Sequence, residues 1–253
     1  MTFDASHLIS ATWIDAVEHH GELDSTQNRA RAAAAELPRE GSLLVVADRQ
    51  SAGRGRGANR WWTGEGSLAF SLLFDPTRFE LPRRAVPQVS LAAGVALVDT
   101  VAPVVGDHPP GLHWPNDVYA ADRKLAGVLV DVLPDGRHIV GVGINTNSAL
   151  ADVPDELRES IATLHWLTGR LVDHGELLLA FLEQFAVALR MLAQAPLQLG
   201  ARFNELCLQH GQVLTVRNGA ERTTGRCAGI APDGALLLDT DRGRRAFYSG
   251  TLR

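Results

Sequence analysis

Apolar and polar positions follow two different periods along the chain, and the changes between them outline the elements. Arg29 to Leu37 is an Ala-rich stretch of strong helix formers, and Asp24-Ser25-Thr26-Gln27 stands before it. Asp24, with Gln27 three positions on, makes a capping pair and predicts a helix N-terminus there. Ser42 to Ala47 and Ser67 to Phe74 are short apolar, β-rich runs, separated by the Gly- and Arg-rich stretch Gly53 to Gly66. That order reads as strand, long loop, strand. Pro87 introduces Gln88 to Val101, where Leu91, Val95, Val98 and Ala102 recur at helical spacing and predict a buried helix. Val118 to Tyr119, Leu125 to Val132 and His138 to Ile144 read as strands divided by Ala-Asp-Arg and Pro-Asp-Gly turns, two of them forming a hairpin. Asp173 to Ala193 and Leu197 to Gln209 carry helical apolar stripes, with Pro196 between them.

From Gly211 the texture changes to short alternating runs: Val213 to Val216, Arg226 to Ile230, Ala235 to Leu238 and Arg245 to Tyr248, with Asn-Gly and Asp-Gly turns between them. This predicts a small β-barrel. The earlier part lacks regular βαβ alternation, so an α+β fold on a mixed sheet is expected, not a doubly wound one. The expected division is a main domain over residues 1–209 and the barrel over residues 210–253.

Composition narrows the function. The 253 residues are 45% hydrophobic and 21% charged, enough for a sizeable core. A net charge of -5 gives no basic field with which to hold a polyanionic duplex, so a nucleic-acid partner is not expected. No run is expected to cross a membrane, and Met1 to Ser10 carries no basic cluster ahead of an apolar stretch. Cys207 and Cys227 lie outside any Cys/His metal spacing, which suits a reducing cytoplasm; no metal site is expected, and the histidine pair His19-His20 reads as surface. Of 24 basic residues, Lys124 alone is lysine. Codon drift toward arginine is the plainer reading of that asymmetry. It does not account for the one lysine kept, whose compact ammonium reaches oxygens that a guanidinium fork approaches differently.

The loop Gln50-Ser51-Ala52-Gly53-Arg54-Gly55-Arg56-Gly57 alternates glycine with arginine. It reads as an anion-wrapping loop, as a solvated connection, or, with Trp61 and Trp62 as stacking platforms, as a single-stranded nucleic-acid segment that the acidic balance disfavours. No Gly-x-x-x-x-Gly-Lys-Ser/Thr phosphate loop exists, since Lys124 is followed by Leu125. Gly141-Val142-Gly143 lacks the third glycine of a dinucleotide fingerprint.

Four segments occur in order: Gln50 to Arg56 with Trp61 following, Trp114-Pro115-Asn116-Asp117, Lys124-Leu125-Ala126-Gly127, and Gly143-Ile144-Asn145. With Ser25-Thr26 ahead of them, they resemble the motif series of biotin protein ligases. The resemblance covers nearly the whole chain and implies a class II synthetase-like biotin/lipoate ligase domain closed by an SH3-like barrel. With 24 residues ahead of Ser25, it points to the monofunctional class without the N-terminal DNA-binding domain. The implied reaction is two-step: ATP, as Mg-ATP, activates biotin to biotinyl-5'-AMP, which is passed to a lysine of a biotin carboxyl carrier protein or domain.

The resemblance implies that Ser25, Thr26 and Gln50 meet the polar ureido end of biotin and that Gln27 is also substrate-binding, although propensity alone favours Ser25 and Thr26 as helix caps. It places Gly53, Arg54, Gly55, Arg56, Lys124 and Gly127 around the biotin carboxylate and the adenylate phosphate, with Arg54, Arg56 and Lys124 as catalytic cations. It assigns Trp61, Asn116 and Asn145 to the adenylate, Trp61 closing the site. Three positions depart from the family pattern. Gly57-Ala58-Asn59 replaces a basic stretch, Gln27-Asn28 stands where Asn usually follows Ser-Thr, and His113 stands where lysine commonly precedes Trp-Pro-Asn-Asp. The competing readings are a lipoate or octanoate transferase and a non-catalytic biotin-binding protein. The Gly-Arg loop and the barrel favour biotin ligation.

Overall fold

The computed structural model describes residues 3–81 and 86–252. In chain order the elements are α1 (Ala5–Ala11), β1 (Ala16–Leu23), α2 (Thr26–Ala33), β2 (Leu43–Gln50), β3 (Leu68–Phe74), α3 (Val86–Val105), β4 (Gly111–His113), β5 (Asp117–Ala120), β6 (Arg123–Val132) and β7 (His138–Ile144). The short α4 (Asp155–Arg158) and α5 (Leu164–Thr168) lead to α6 (His174–Gln194) and α7 (Pro196–Leu206). The chain ends in β8 (Val213–Asn218), β9 (Glu221–Ile230), β10 (Leu236–Thr240), β11 (Gly243–Phe247) and β12 (Thr251–Leu252).

Local chemistry sets several of these boundaries. The cap of α2 is Ser25, whose Oγ accepts from the Gln27 amide at 3.2 Å. Asp24 is not the cap that its spacing suggested, because its carboxylate is turned back to accept from the Ser25 amide at 2.6 Å and the Asn28 side chain at 2.7 Å. Asp173 caps α6 by accepting from the Glu176 amide at 2.9 Å. Ala121 and Asp122, at φ 49° and 59°, make the two-residue turn between β5 and β6 that matches the strand twist.

Seven strands form one sheet in the order β1-β2-β3-β7-β6-β5-β4, with β1 parallel to β2 and every other pair antiparallel. It is the mixed sheet of an α+β domain. Because side chains alternate along each strand, its two faces have different coverings. Leu44, Val46, Phe70, Leu72, Phe74, Val140 and Val142 join the large core that includes α3 and α6. Leu43, Val45, Leu73 and Ile139 pack with Ala30 and Ala33 of α2. That short helix leaves the rest of its face open for the site.

One expectation about α3 needs correction. Ala102 is exposed, and the buried stripe runs instead through Val101 and Val105. The window Gln88–Val105 is also long and apolar enough to cross a membrane by length and composition. Here it is a core helix, mostly buried.

The C-terminal segment is a five-stranded antiparallel sheet in the order β11-β10-β9-β8-β12, coiled around Leu214, Val216, Cys227, Leu236 and Leu238. These residues belong to the same core cluster as α3 and α6. Asn204 of α7 ties the seam, donating to the Ile230 carbonyl at 2.7 Å and accepting from the Ile230 amide at 2.8 Å. Strand β12, absent from the sequence expectation, brings the chain end back to the main domain.

Candidate active site

Residues directly opposite one another in antiparallel strands share a face, so the register lays out the site in rows. One row runs Ala47, Ala69, Gly143, Gly127, Asp117, His113 across β2, β3, β7, β6, β5 and β4. The next runs Val45, Ser71, Gly141, Leu129. Glycines fill three of the central positions, and a cavity of about 280 Å³ opens above them. A Cβ on Gly143 would stand 2.2 Å from the Trp61 indole, and one on Gly141 would stand 2.5 Å from Gln27 Oε1. The Gly-Val-Gly of β7 therefore serves as a floor. The intervening Val142 points into the core.

At one end the cavity is neutral and rich in hydrogen-bonding groups. Gln50 Oε1 accepts from the Thr26 amide at 2.9 Å, and Thr26 Oγ1 and Ser71 Oγ share a hydrogen bond of 2.8 Å. Ser71 donates to Gln27 Oε1 at 3.0 Å, and Gln27 Nε2 donates to the Ile139 carbonyl at 3.2 Å. Ser25, Thr26, Gln27 and Ser71 are all buried. Ser71 joins Thr26 to Gln27, yet nothing in its neighbouring sequence marks it; only the sheet register shows its place.

The other end is ionic. Lys124 Nζ lies 2.8 Å from Asp117 Oδ1 and 5.4 Å from the centre of the Trp61 ring. Tyr119, the cross-strand partner of Lys124, stacks on His113 at 4.5 Å between ring centres and 20° between planes. Burial lowers the His113 pKa below the ordinary 6.5, and burial together with the Asp117 charge raises that of Tyr119. Asn145 does not face this cavity. Its side chain donates to the Lys124 carbonyl at 3.1 Å and lines a smaller adjoining chamber with Trp61, Trp62, Tyr119 and Ile161.

The Gly-Arg loop is a folded hairpin. Arg54 and Arg60 bridge antiparallel, Gly55 donates to the Asn59 carbonyl at 2.9 Å, and Trp61 donates to the Gly53 carbonyl at 3.0 Å. Gly57, at φ 65°, sits in the turn, which gives the unusual Gly57-Ala58-Asn59 stretch a conformational role. Gly53 is required by close approach, since a Cβ there would lie 2.4 Å from the Trp61 carbonyl oxygen. Arg54 and Arg56 both line the cavity, each with a protein partner. Arg54 donates to Asp131 at 3.0 Å, and Arg31 donates to the same carboxylate oxygen at 2.5 Å. Arg56 donates to Asn116 Oδ1 at 3.3 Å and to the Gly250 carbonyl, so the chain end clamps the hairpin. Burial lowers the Arg56 pKa against the opposing pull of Asp117. Asn116 itself is anchored by donating to the Val128 carbonyl at 2.6 Å.

Sequence comparison agrees with this geometry. Residues 21–147 match the biotin/lipoate A/B protein ligase family, and residues 210–251 match the biotin protein ligase C-terminal domain. The bifunctional ligase/repressor BirA of Bacillus subtilis is 31% identical over 243 residues, covering 92% of this chain and 72% of that protein. The biotin–[acetyl-CoA-carboxylase] ligase of Mycobacterium tuberculosis is 31% identical over 200 residues, 78% of this chain and 73% of that one. The solved biotin protein ligase of Aquifex aeolicus, in complex with biotin and ATP, superposes with a TM-score of 0.82 at 31% identity, covering 95% of this chain and 99% of that chain. With its motif segments gathered round one cavity and 31% identity to a ligase over 92% of its length, this chain belongs to the biotin protein ligases of the biotin/lipoate A/B ligase family.

Proposed function

We propose that this chain activates biotin with ATP to biotinyl-5'-AMP and transfers the biotinyl group to a lysine of a carrier protein. One observation carries the reading: a single cavity has the Thr26-Gln27-Gln50-Ser71 network at one end and Lys124 with Arg56 at the other. Ser71 on β3 and Asp117 on β5 are three strand spacings apart, at about 4.8 Å each. That span suits a ligand with a polar ring at one end and a carboxylate at the other.

In the first step a biotin carboxylate oxygen bonds to the α-phosphorus of ATP as the bond to the β-phosphate oxygen breaks, releasing pyrophosphate. Negative charge gathers on phosphoryl oxygens, where Lys124 and Arg56 are fixed in a partly dry site. The adjoining chamber of Trp62, Asn145 and Ile161 offers the adenine an apolar wall. In the second step a carrier amine bonds to the acyl carbon and AMP leaves. The hairpin and Trp61 shield the mixed anhydride from water until then.

Magnesium comes with the nucleotide as Mg-ATP, where it neutralises phosphate charge. Among the described residues no three His, Cys, Asp or Glu side chains gather into a cation site, and the carboxylate lining the cavity, Asp117, is held by Lys124. The names of the relatives support the biotin carrier of acetyl-CoA carboxylase as the acceptor. We place the reaction in the cytoplasm, which suits the two buried free thiols, Cys207 and Cys227.

The test is biotin-dependent exchange of labelled pyrophosphate into ATP, with lipoate as the parallel substrate, followed by transfer to a carrier domain. Exchange with biotin alone is expected. Exchange with lipoate alone would move the protein to the neighbouring activity.

A further inference from the structure

The transfer step needs a proton acceptor. A carrier lysine arrives as an ammonium, and only its neutral amine has a lone pair for the acyl carbon. The arginine side chains lining the cavity are donors without an acceptor, and Lys124 is paired with Asp117. Tyr119 is held as the phenol, its pKa raised by burial and by Asp117. The Asp117 carboxylate is occupied by the Lys124 ammonium at 2.8 Å. His113 is the remaining titratable group in the cavity lining.

Its placement is favourable. His113 is the cross-strand partner of Asp117 and stands in the row that runs through Gly127 and Gly143, so its ring lies on the cavity side of the sheet. The stack on Tyr119 fixes the imidazole plane. The charges that face it are Asp117 on β5 and Lys124 on β6, which pull its pKa in opposite directions, while burial lowers it overall. On the opposite face of β4, Leu112 packs toward Gly94 of α3 and contributes no charge.

We propose that His113 is a catalytic residue of the second half-reaction, accepting the proton of the incoming carrier lysine. The ammonium N–H bond breaks and its proton moves to an imidazole nitrogen. The freed lone pair forms the C–N bond at the acyl carbon, and the bond from that carbon to the phosphate oxygen breaks to release AMP. The second nitrogen proton is lost to solvent as the amide forms. This inference rests on the ligase reading above.

The experiment preloads the enzyme with biotinyl-5'-AMP, mixes it with a biotin carrier domain, and follows single-turnover transfer from about pH 6 to about pH 9. Pyrophosphate exchange is measured on the same preparations. Wild type is expected to level off above the titration of His113, since its neutral form then serves throughout. His113→Phe, which keeps a ring on Tyr119, is expected to transfer about 100-fold more slowly near neutrality relative to its own exchange rate. Its rate is expected to climb about tenfold per pH unit as free amine becomes available. Added imidazole is expected to restore transfer by His113→Ala, where it has room to bind, and not by His113→Phe. A His113→Phe enzyme with the wild-type plateau and rate, or a His113→Ala enzyme indifferent to imidazole, overturns the proposal and leaves the ligase reading intact. A wild type with no biotin-dependent exchange overturns both.

Discussion

Lys124, the single lysine of the chain, holds its ammonium 2.8 Å from a carboxylate oxygen of Asp117. The slot is narrow: Lys124 Cε lies 3.3 Å from where a Cβ on Gly127 would stand, and the Trp61 ring covers the ammonium. A guanidinium keeps the charge but is broader and planar, and it carries its charge away from the point where one oxygen must be met. Lys124→Arg is therefore expected to fold normally and to lose about 100-fold in biotin-dependent pyrophosphate exchange, roughly 3 kcal/mol of transition-state stabilisation. Near-normal exchange would show that charge alone suffices.

Ser71 is buried between Thr26 and Gln27, with hydrogen bonds of 2.8 and 3.0 Å. Removing its hydroxyl leaves the Gln27 carboxamide oxygen without its donor. Ser71→Ala is expected to cost about 1–3 kcal/mol of stability and to raise the KM for biotin more than that for ATP. Denaturant titration and paired KM measurements check both parts. A larger effect on ATP would mean that the network is not at the biotin end.

Gly143 lies under the indole of Trp61, with 2.2 Å between its would-be Cβ and the ring. Gly143→Ala is expected to lift Trp61 off the floor at a stability cost of about 1–3 kcal/mol. Two readouts follow: a red-shifted tryptophan emission, and faster loss of preformed biotinyl-5'-AMP to hydrolysis in the absence of a carrier. An unchanged hydrolysis rate would remove Trp61 from the water-excluding role.

Asp15 supplies the pH test of the fold. Arg78, donating to it at 2.8 and 3.3 Å, is the main cause of a pKa of about 2, with the Ser42 amide and hydroxyl adding to it at 2.8 Å each. The depressed value means that the folded state favours the charged carboxylate. Its contribution is complete above the ordinary value of 3.8 and disappears as the pH falls toward 2. Asp15→Asn is expected to be less stable than wild type by a constant margin above about pH 4, the margin closing below it. A margin that persists to pH 2 would assign the effect to packing instead of charge.

Several parts of the site are legible in the sequence because they depend on local chemistry. Ser25-Thr26 at a helix start, the Gly-Arg alternation and the isolated Lys124 each draw notice by residue type and spacing. What escapes is set by strands far apart in the chain. Ser71, Gly141, Gly143, Asp117 and His113 share one face only because β3, β7, β6, β5 and β4 pair in one register, and a slip of one residue would turn every one of them to the other face. Arg54 shows the same limit. Its residue type marks it as an anion binder, while its observed partner, Asp131, lies 77 positions away.

The sequence by itself determined the α+β class, the motif series and hence the family, because element type follows from hydrophobic period and a reacting group follows from residue chemistry. The tertiary structure alone decided that Gly-Val-Gly is a cavity floor, that the Gly-Arg segment is a closed hairpin clamped by the Gly250 carbonyl, and that His113 faces the ionic end of the cavity. These follow from which backbones lie side by side. That pairing is a collective choice of register and burial across the whole sheet, which no single segment encodes.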